Sequence, residues 1–179
     1  MIRSKKCKNC KELFQPYTTI QKHCTKDECI RAFINELKAK EEKKRQKQRK
    51  DELMTLQDYL KLTQQIFNKW IRLRDMGEPC ISCGKEPKKA NAGHYYSQGG
   101  HSNVRFDEFN CHLQCEHCNT FLSGNLIEYG INLEKKIGKE EFTILRERAY
   151  EVKKWSKQEL LNLIEEYKTK IKNYQKEMI

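Results

Sequence analysis

Eight of the nine cysteines fall into four close pairs, Cys7-x2-Cys10, Cys24-x4-Cys29, Cys80-x2-Cys83 and Cys115-x2-Cys118, and only Cys111 stands apart. A close pair offers two thiolates to one tetrahedral Zn²⁺, and a second pair elsewhere completes the site. Taken in sequence order, the pairs predict two structural zincs. One is held by Cys7, Cys10, Cys24 and Cys29, the other by Cys80, Cys83, Cys115 and Cys118. The chain has reason to need them. Of its 179 residues 37% are hydrophobic and 34% charged, against about 45–50% apolar and about 25% charged in ordinary soluble domains. Zinc binding, about 10–16 kcal/mol in small finger peptides near neutral pH, offsets the shortage of core. Mean hydropathy is −0.95 and no long apolar run exists, so a transmembrane helix is excluded and no membrane partner is expected. Residues 1–7 lack the apolar stretch of a signal peptide. The expected location is a cytosol, where thiols stay reduced and metal binding explains cysteine pairs better than disulfides do.

Read along its length, the chain predicts an α+β, mostly helical fold. Residues 1–30 form a short four-cysteine zinc finger with Phe14, Tyr17 and Ile20 available to pack beneath the metal. Residues 31–76 form a long helical arm, basic and then amphipathic. From Cys29 to about Lys50 there is no glycine or proline, so Cys29 belongs in the helix's first turn. Residues 38–52 contain one alanine and no larger apolar residue, so this stretch is a solvated spacer, a nucleic-acid-facing arm or partly disordered. Lys43, Lys44, Arg45, Lys47, Arg49 and Lys50 are its candidate phosphate contacts. Apolar periodicity resumes at Leu53 and runs through Leu56, Tyr59, Leu60, Ile66, Phe67, Trp70, Ile71 and Leu73, stopping near Met76-Gly77. A loop-rich segment within 77–138 follows, and 139–179 holds two more helices, about 139–153 and 156–177. The last opens with the capping box Ser156-x-x-Glu159. Its seam of Leu160, Ile164, Tyr167, Ile171, Tyr174 and Met178 packs on the 53–73 helix or, as a second explanation, forms a homodimer.

Residues 80–125 carry the chemistry. Two Cys-x2-Cys knuckles enclose 31 residues, including His94 after Asn91-Ala92-Gly93, an expected strand at Val104-Arg105-Phe106, and Asn110 five residues before Cys115. Asn119 follows Cys118 directly. This order resembles the HNH, or ββα-metal, nucleases with their treble-clef-like zinc-containing core. The sequences CISCG, AGHY, VRF, QC-x2-CN and SGN followed by Tyr129, with the finger and the charged helix, further resemble the phage NinG (Rap) recombination proteins over nearly the whole chain. The four-cysteine knuckle followed by asparagine is also similar to phage endonuclease VII.

The resemblance implies a structure-selective, metal-dependent endonuclease acting on branched recombination intermediates such as Holliday junctions and D-loops, with 77–138 as the nuclease core. For a phage-encoded chain the location is the host cytoplasm. Phosphodiester hydrolysis needs an activated water, neutralised charge at phosphorus and a stabilised departing 3′-oxygen; one Mg²⁺ or Mn²⁺ supplies the last two. His94 is then the general base, Asn119 an oxygen ligand of the catalytic cation, and Asn110 the residue that orients the His94 loop. Products would carry a 5′-phosphate and a 3′-hydroxyl. Many related nucleases place a metal-binding aspartate directly before the histidine, where this chain has Gly93; NinG-like sequences carry an acid slightly earlier, where it has Asn91. Asn91, Asp107 or His101 could supply the ligand. Lys88, Lys89 and Arg105 are further phosphate contacts.

Each assignment has a structural rival. His94 beside Tyr95 and Tyr96 could be a hydrogen-bonded structural histidine, Asn110 could cap a helix carrying Cys115, and Asn119 could turn the knuckle backbone. His112 and His117 could replace thiolates on zinc, and Cys111 is a small packed residue. The rival function is a non-catalytic double zinc-finger DNA-binding protein. Charge is uneven: residues 1–50 hold 16 basic and 6 acidic residues, residues 51–179 hold 20 and 19. Sequence-independent DNA affinity is therefore expected mainly in the N-terminal arm.

Overall fold

The computed structural model describes residues 2–177, and these fall into two compact units that divide between Met54 and Thr55. In the first unit a two-residue antiparallel pair, β1 (Lys5–Lys6) and β2 (Leu13–Phe14), precedes one long helix, α1 (Asp27–Leu53). Asp27 and Glu28 in its first turn suit the positive end of the helix dipole. Cys29 is its one buried residue; Ile30, Phe33, Ile34 and Leu37 in its first turns stay exposed, and from Lys38 to Glu52 the only apolar side chain is one alanine. Phe14 packs on the cysteines, but Tyr17 and Ile20 are 80% and 82% exposed and lie on no core, contrary to expectation.

The second unit starts on a capping box: Asp58 N donates to Thr55 Oγ1 (3.3 Å) and Thr55 N to Asp58 Oδ2 (2.9 Å). This box opens α2 (Leu56–Arg74). The expected single arm over 31–76 is therefore two helices, interrupted at Met54-Thr55, and the boundary between units falls there rather than at 30 or 76. Tyr59, Thr63, Gln64, Phe67 and Ile71 form the buried face of α2. Against it lies α5 (Lys157–Glu177), with Leu160, Ile164, Tyr167 and Ile171 buried. Phe67 stacks edge-on with Tyr167 (5.2 Å) and Trp70 with Tyr174 (6.2 Å). Leu160, Ile164, Tyr167 and Ile171 of the seam are thus buried within the chain, as the first of the two expected explanations has it; Met178 lies outside the described residues. Ser156 and Glu159 cap α5 reciprocally.

Also packed on α2 is a two-stranded antiparallel hairpin, β3 (Ala90–His94) and β4 (Cys111–Cys115), in the register Ala90↔Cys115 to His94↔Cys111. The expected strand at Val104-Arg105-Phe106 is absent; Ser102–Val104 is a single 3-10 turn, and the paired strands lie on either side of it. Val104 is instead a core anchor, packed with Tyr129, Leu133, Leu145 and Ala149. The last four belong to α3 (Leu126–Ile137) and α4 (Lys139–Ala149). α4 stops short of the expected end at 153, and Val152 is 88% exposed.

Arg74 fastens the end of α2 to the hairpin. Its guanidinium donates to the carbonyls of Glu108 (2.9 Å) and Cys111 (2.8 Å) and forks onto Asp75 (2.6 and 2.8 Å). Asp75 also accepts from Leu113 N at 2.9 Å. Burial alone would raise the Asp75 carboxyl, but His112 and Arg74 hold it well below the usual carboxylate range.

Candidate metal sites and cleft

The two cysteine sets converge as their spacing predicted. In each, the four sulfurs lie within 4.8 Å of one another. Cys10 to Cys24 and Cys83 to Cys115 are both 3.8 Å apart, which is about the edge of a tetrahedron of sulfurs about 2.3 Å from a central zinc. The donor sets therefore fit zinc. Turns shape both. Lys11 is left-handed (φ 63°) after Cys10, and Gly84 (φ 68°) follows Cys83. Backbone and amide donors already point at sulfur: Cys24 N to Cys7 Sγ (3.3 Å), Asn9 Nδ2 to Cys29 Sγ (3.6 Å), Cys118 N to Cys115 Sγ (3.4 Å) and Asn125 Nδ2 to Cys118 Sγ (3.8 Å). Such bonds favour the thiolate that a metal requires. Cys111 is fully buried and belongs to neither set.

Beside the second cysteine set lies a polar cleft of about 550 Å³, lined by His94, Asn91, Asn119, Glu116, Arg72 and Asn68 among others. His94 ends β3, and Asn119 sits in the π-helical turn His117–Phe121 that follows β4. His94 Nε2 is 3.0 Å from the Arg105 carbonyl. A carbonyl only accepts, so this shorter contact favours the proton on Nε2 and the lone pair on Nδ1, although the Gln64 amide nitrogen, a donor, lies 3.4 Å from the same Nε2. Nδ1 meets the Cys111 sulfur at 3.5 Å. Burial, and next the Arg105 charge, push the imidazolium down; the carbonyl bond works the other way, and the result is a pKa of about 4. His94 is neutral throughout the physiological range.

A family model described as Bacteriophage Lambda NinG protein matches residues 1–177. The chain belongs to the NinG family. Proteins named Protein ninG from Escherichia phage 933W, Escherichia phage lambda and Salmonella phage P22 are 33%, 34% and 34% identical to it. The matches cover 94% of this chain in each case, and 92%, 92% and 93% of the relatives. No solved structure matches the chain. No helix among the described residues is long and apolar enough to cross a membrane.

In this NinG-family chain the cleft gathers some of the residues expected from sequence and leaves others outside. Asn110 is fully buried and caps no helix, because Cys115 ends a strand. Its side chain accepts from Tyr96 N (2.8 Å) and donates to the carbonyls of Tyr96 and Val104 (both 2.9 Å), while its own carbonyl accepts from Tyr95 N (2.9 Å). It pins the chain immediately after His94. Of the three proposed extra ligands, only Asn91 lines the cleft. Asp107 is taken by Arg148 (2.7 Å) and Phe109 N (2.9 Å). His101 Nδ1 donates to the Ala149 carbonyl (2.9 Å) and its ring meets Tyr96 and Tyr150. His112 is tied to Arg74 and Asp75 and His117 is exposed, so neither stands in for a thiolate.

Arg105 is half-buried, with Nε donating to Gln64 Oε1 (3.0 Å), so its carbonyl and its side chain both serve the His94 environment. Lys88 and Lys89 are exposed, as are the six basic residues from Lys43 to Lys50. Sequence reading missed Gln64, Asn68 and Arg72, which stand four residues apart on one face of α2, and Glu116, the one carboxylate among the cleft's lining residues. The signal was present. Three polar side chains at i, i+4 and i+8 interleaved with the apolar Phe67 and Ile71 mark a helix edge that faces a site rather than a core.

Proposed function

We propose that the chain is a divalent-metal-dependent DNA endonuclease of the HNH, ββα-metal type, acting on branched recombination intermediates. The observation that carries this reading is the juxtaposition in one cleft of a neutral His94 with Asn91, Asn119, Glu116 and the cation Arg72. The hairpin followed by a helical turn beside a four-cysteine knuckle is the architecture such a site needs. The donor set of two amide oxygens and one carboxylate fits Mg²⁺ or Mn²⁺, hard cations that keep several waters and take the remainder from substrate phosphate. Held by Asn119, Asn91 and Glu116, that ion supplies charge neutralisation at phosphorus and stabilisation of the departing 3′-oxygen.

The protein's own groups do the rest. His94 takes the proton of the attacking water; its ring lines the cleft, and a turn of the imidazole away from the Arg105 carbonyl and the Cys111 sulfur presents a nitrogen to that water. Arg72 makes no ion pair among the described residues and holds a scissile-strand phosphate, a bidentate task suited to guanidinium. Asn110 acts through His94 by fixing the backbone of Tyr95 and Tyr96. The exposed lysines and arginines of α1 supply salt-sensitive affinity for the DNA backbone. A non-catalytic zinc-finger protein has no use for a half-buried histidine lining one polar cleft with Asn91, Asn119 and Glu116. The test is to incubate a synthetic four-way junction and a duplex of the same sequence with purified protein and Mg²⁺ or Mn²⁺. Cleavage of the junction with 5′-phosphate and 3′-hydroxyl ends is expected; intact junctions under both metals would remove the reading.

A further inference from the structure

The π-helical turn that carries Asn119 into the cleft also carries two exposed rings away from any core. Phe121 is 72% exposed and Leu122 47%. The rings of His117 and Phe121 lie 6.1 Å apart at 36°, a tilted and nearly open pair. They line a second concavity of about 580 Å³ together with Leu122, Lys85, Lys88 and Lys89. Lys89 is paired with Glu116 (2.5 Å), whereas Lys85 and Lys88 make no ion pair among the described residues. Glu116 lines both this concavity and the cleft of His94, so the two adjoin.

The turn is held in place. Ser123 (φ 48°), Gly124 (φ 93°) and Asn125 (φ 43°) are three successive left-handed residues, a conformation that side chains other than glycine adopt at a cost. Buried Ser82 and Gln114 fix it by donating to the Gly124 carbonyl at 3.2 and 2.5 Å. An aromatic side chain is thus presented to solvent by a rigid, strained backbone next to the catalytic cleft, with unpaired cations at its rim.

We propose that this concavity is a nucleobase-stacking site: Phe121, with His117, takes the face of an unpaired base, and Lys85 and Lys88 take the flanking phosphates. The proposal rests on the endonuclease reading for the kind of DNA it meets. Within a duplex both faces of every base are covered by neighbours, so only an unstacked base, as at a branch point, can lie on Phe121. The rim charge decides between nucleic acid and protein. Glu86 and the cysteines Cys83, Cys115 and Cys118 also line the concavity, but Lys85 and Lys88 make no ion pair with them among the described residues; a protein surface covering Phe121 and Leu122 would have to desolvate both ammonium groups, which phosphates instead neutralise. The site gives the enzyme a means of recognising branched DNA through an unpaired base, independent of the chemistry at His94.

The experiment compares the full-length, zinc-loaded protein with Phe121→Ala and Phe121→Trp, without added Mg²⁺ or Mn²⁺. Fluorescence anisotropy measures binding to a labelled three-way junction with two unpaired bases at the branch, and to the matching duplex. Phe121→Ala should bind the junction about tenfold more weakly, in line with stacking on an aromatic side chain. Duplex affinity and zinc content should stay unchanged, and Phe121→Trp should restore junction binding. Equal junction affinity for wild type and Phe121→Ala overturns the proposal, as does an equal loss on both DNAs. Sedimentation showing a wild-type dimer that Phe121→Ala converts to a monomer also overturns it, because Phe121 would then be a contact between copies. If wild type fails to cleave any junction yet the selective tenfold loss is found, the stacking site stands and the endonuclease reading fails.

Discussion

The Nε2 of His94 lies 3.0 Å from the main-chain oxygen of Arg105, and this contact favours Nδ1 as the basic ring nitrogen. The carbonyl has no proton to give, and burial keeps the ring neutral down to a pKa of about 4. The folded value lies below the ordinary 6.5. As pH falls below 6.5 the unfolded chain takes up a proton that the folded chain refuses, so this group's effect is to lower stability between pH 6.5 and about 4, with no further change below. We expect the acid limb of the cleavage rate to fall near pH 4–5. His94→Gln should also remove part of the stability loss that wild type shows over that window. Denaturant titrations of both proteins at pH 7, 6 and 5 check this, and a stability difference that is constant with pH contradicts it.

Gly93 explains why no acid precedes His94 here. A Cβ at Gly93 would stand 2.1 Å from Gln114 Oε1, and Gln114 is fully buried and bonded to Ser82 (2.6 Å) and to the Gly124 carbonyl (2.5 Å). Gly93→Ala should therefore destabilise the second unit by about 1–3 kcal/mol, the usual range for overpacking. Gly93→Asp should do worse without creating a metal ligand. An unchanged urea midpoint for Gly93→Ala would show that Gln114 moves freely and does not fix this strand.

Each cysteine set belongs to its own unit, so zinc should stabilise the two separately. Cys7→Ser combined with Cys10→Ser should reduce zinc from two ions per chain to one and unfold residues of the first unit, while melting of the second unit stays put. Metal analysis with circular dichroism reads both numbers. Loss of both zincs in this variant would mean that the sets fold as one.

The metal framework was legible in the sequence because spacing dictates it: cysteine pairs with two or four residues between them can bind one ion in only a few ways, and both groupings of four recur in space. Helices with strong periodicity or capping signals, such as α2 and α5, were equally readable. The hairpin was not. Its strands, Ala90–His94 and Cys111–Cys115, contain little β-branched character, whereas Val104-Arg105-Phe106 has the local look of a strand but is needed as core beneath Tyr129 and beside Phe67. Tertiary packing overrides local preference there. Asp107 and His101 looked available as ligands because nothing in sequence reveals Arg148 and Ala149 as their partners.

The proposed DNA affinity of α1 is read by its salt dependence. Replacing Lys43, Lys44, Lys47 and Lys50 with glutamine in the full chain should flatten the slope of log affinity against log salt by up to about 3.6 units, given about 0.9 per phosphate neutralised. His94 chemistry at saturating protein should be untouched. If the slope is unchanged, the charge on α1 serves solubility alone.

The central claim is that His94 performs hydrolysis in the cleft it shares with Asn91, Asn119 and Glu116. Single-turnover cleavage of a four-way junction in Mg²⁺ or Mn²⁺ by wild type and His94→Ala, with zinc content and junction affinity matched, measures it. Wild type should cut, and His94→Ala should be slower by about 10²–10⁴-fold, the contribution typical of a positioned base. Equal rates for the two proteins, or no cutting by wild type, would contradict the account.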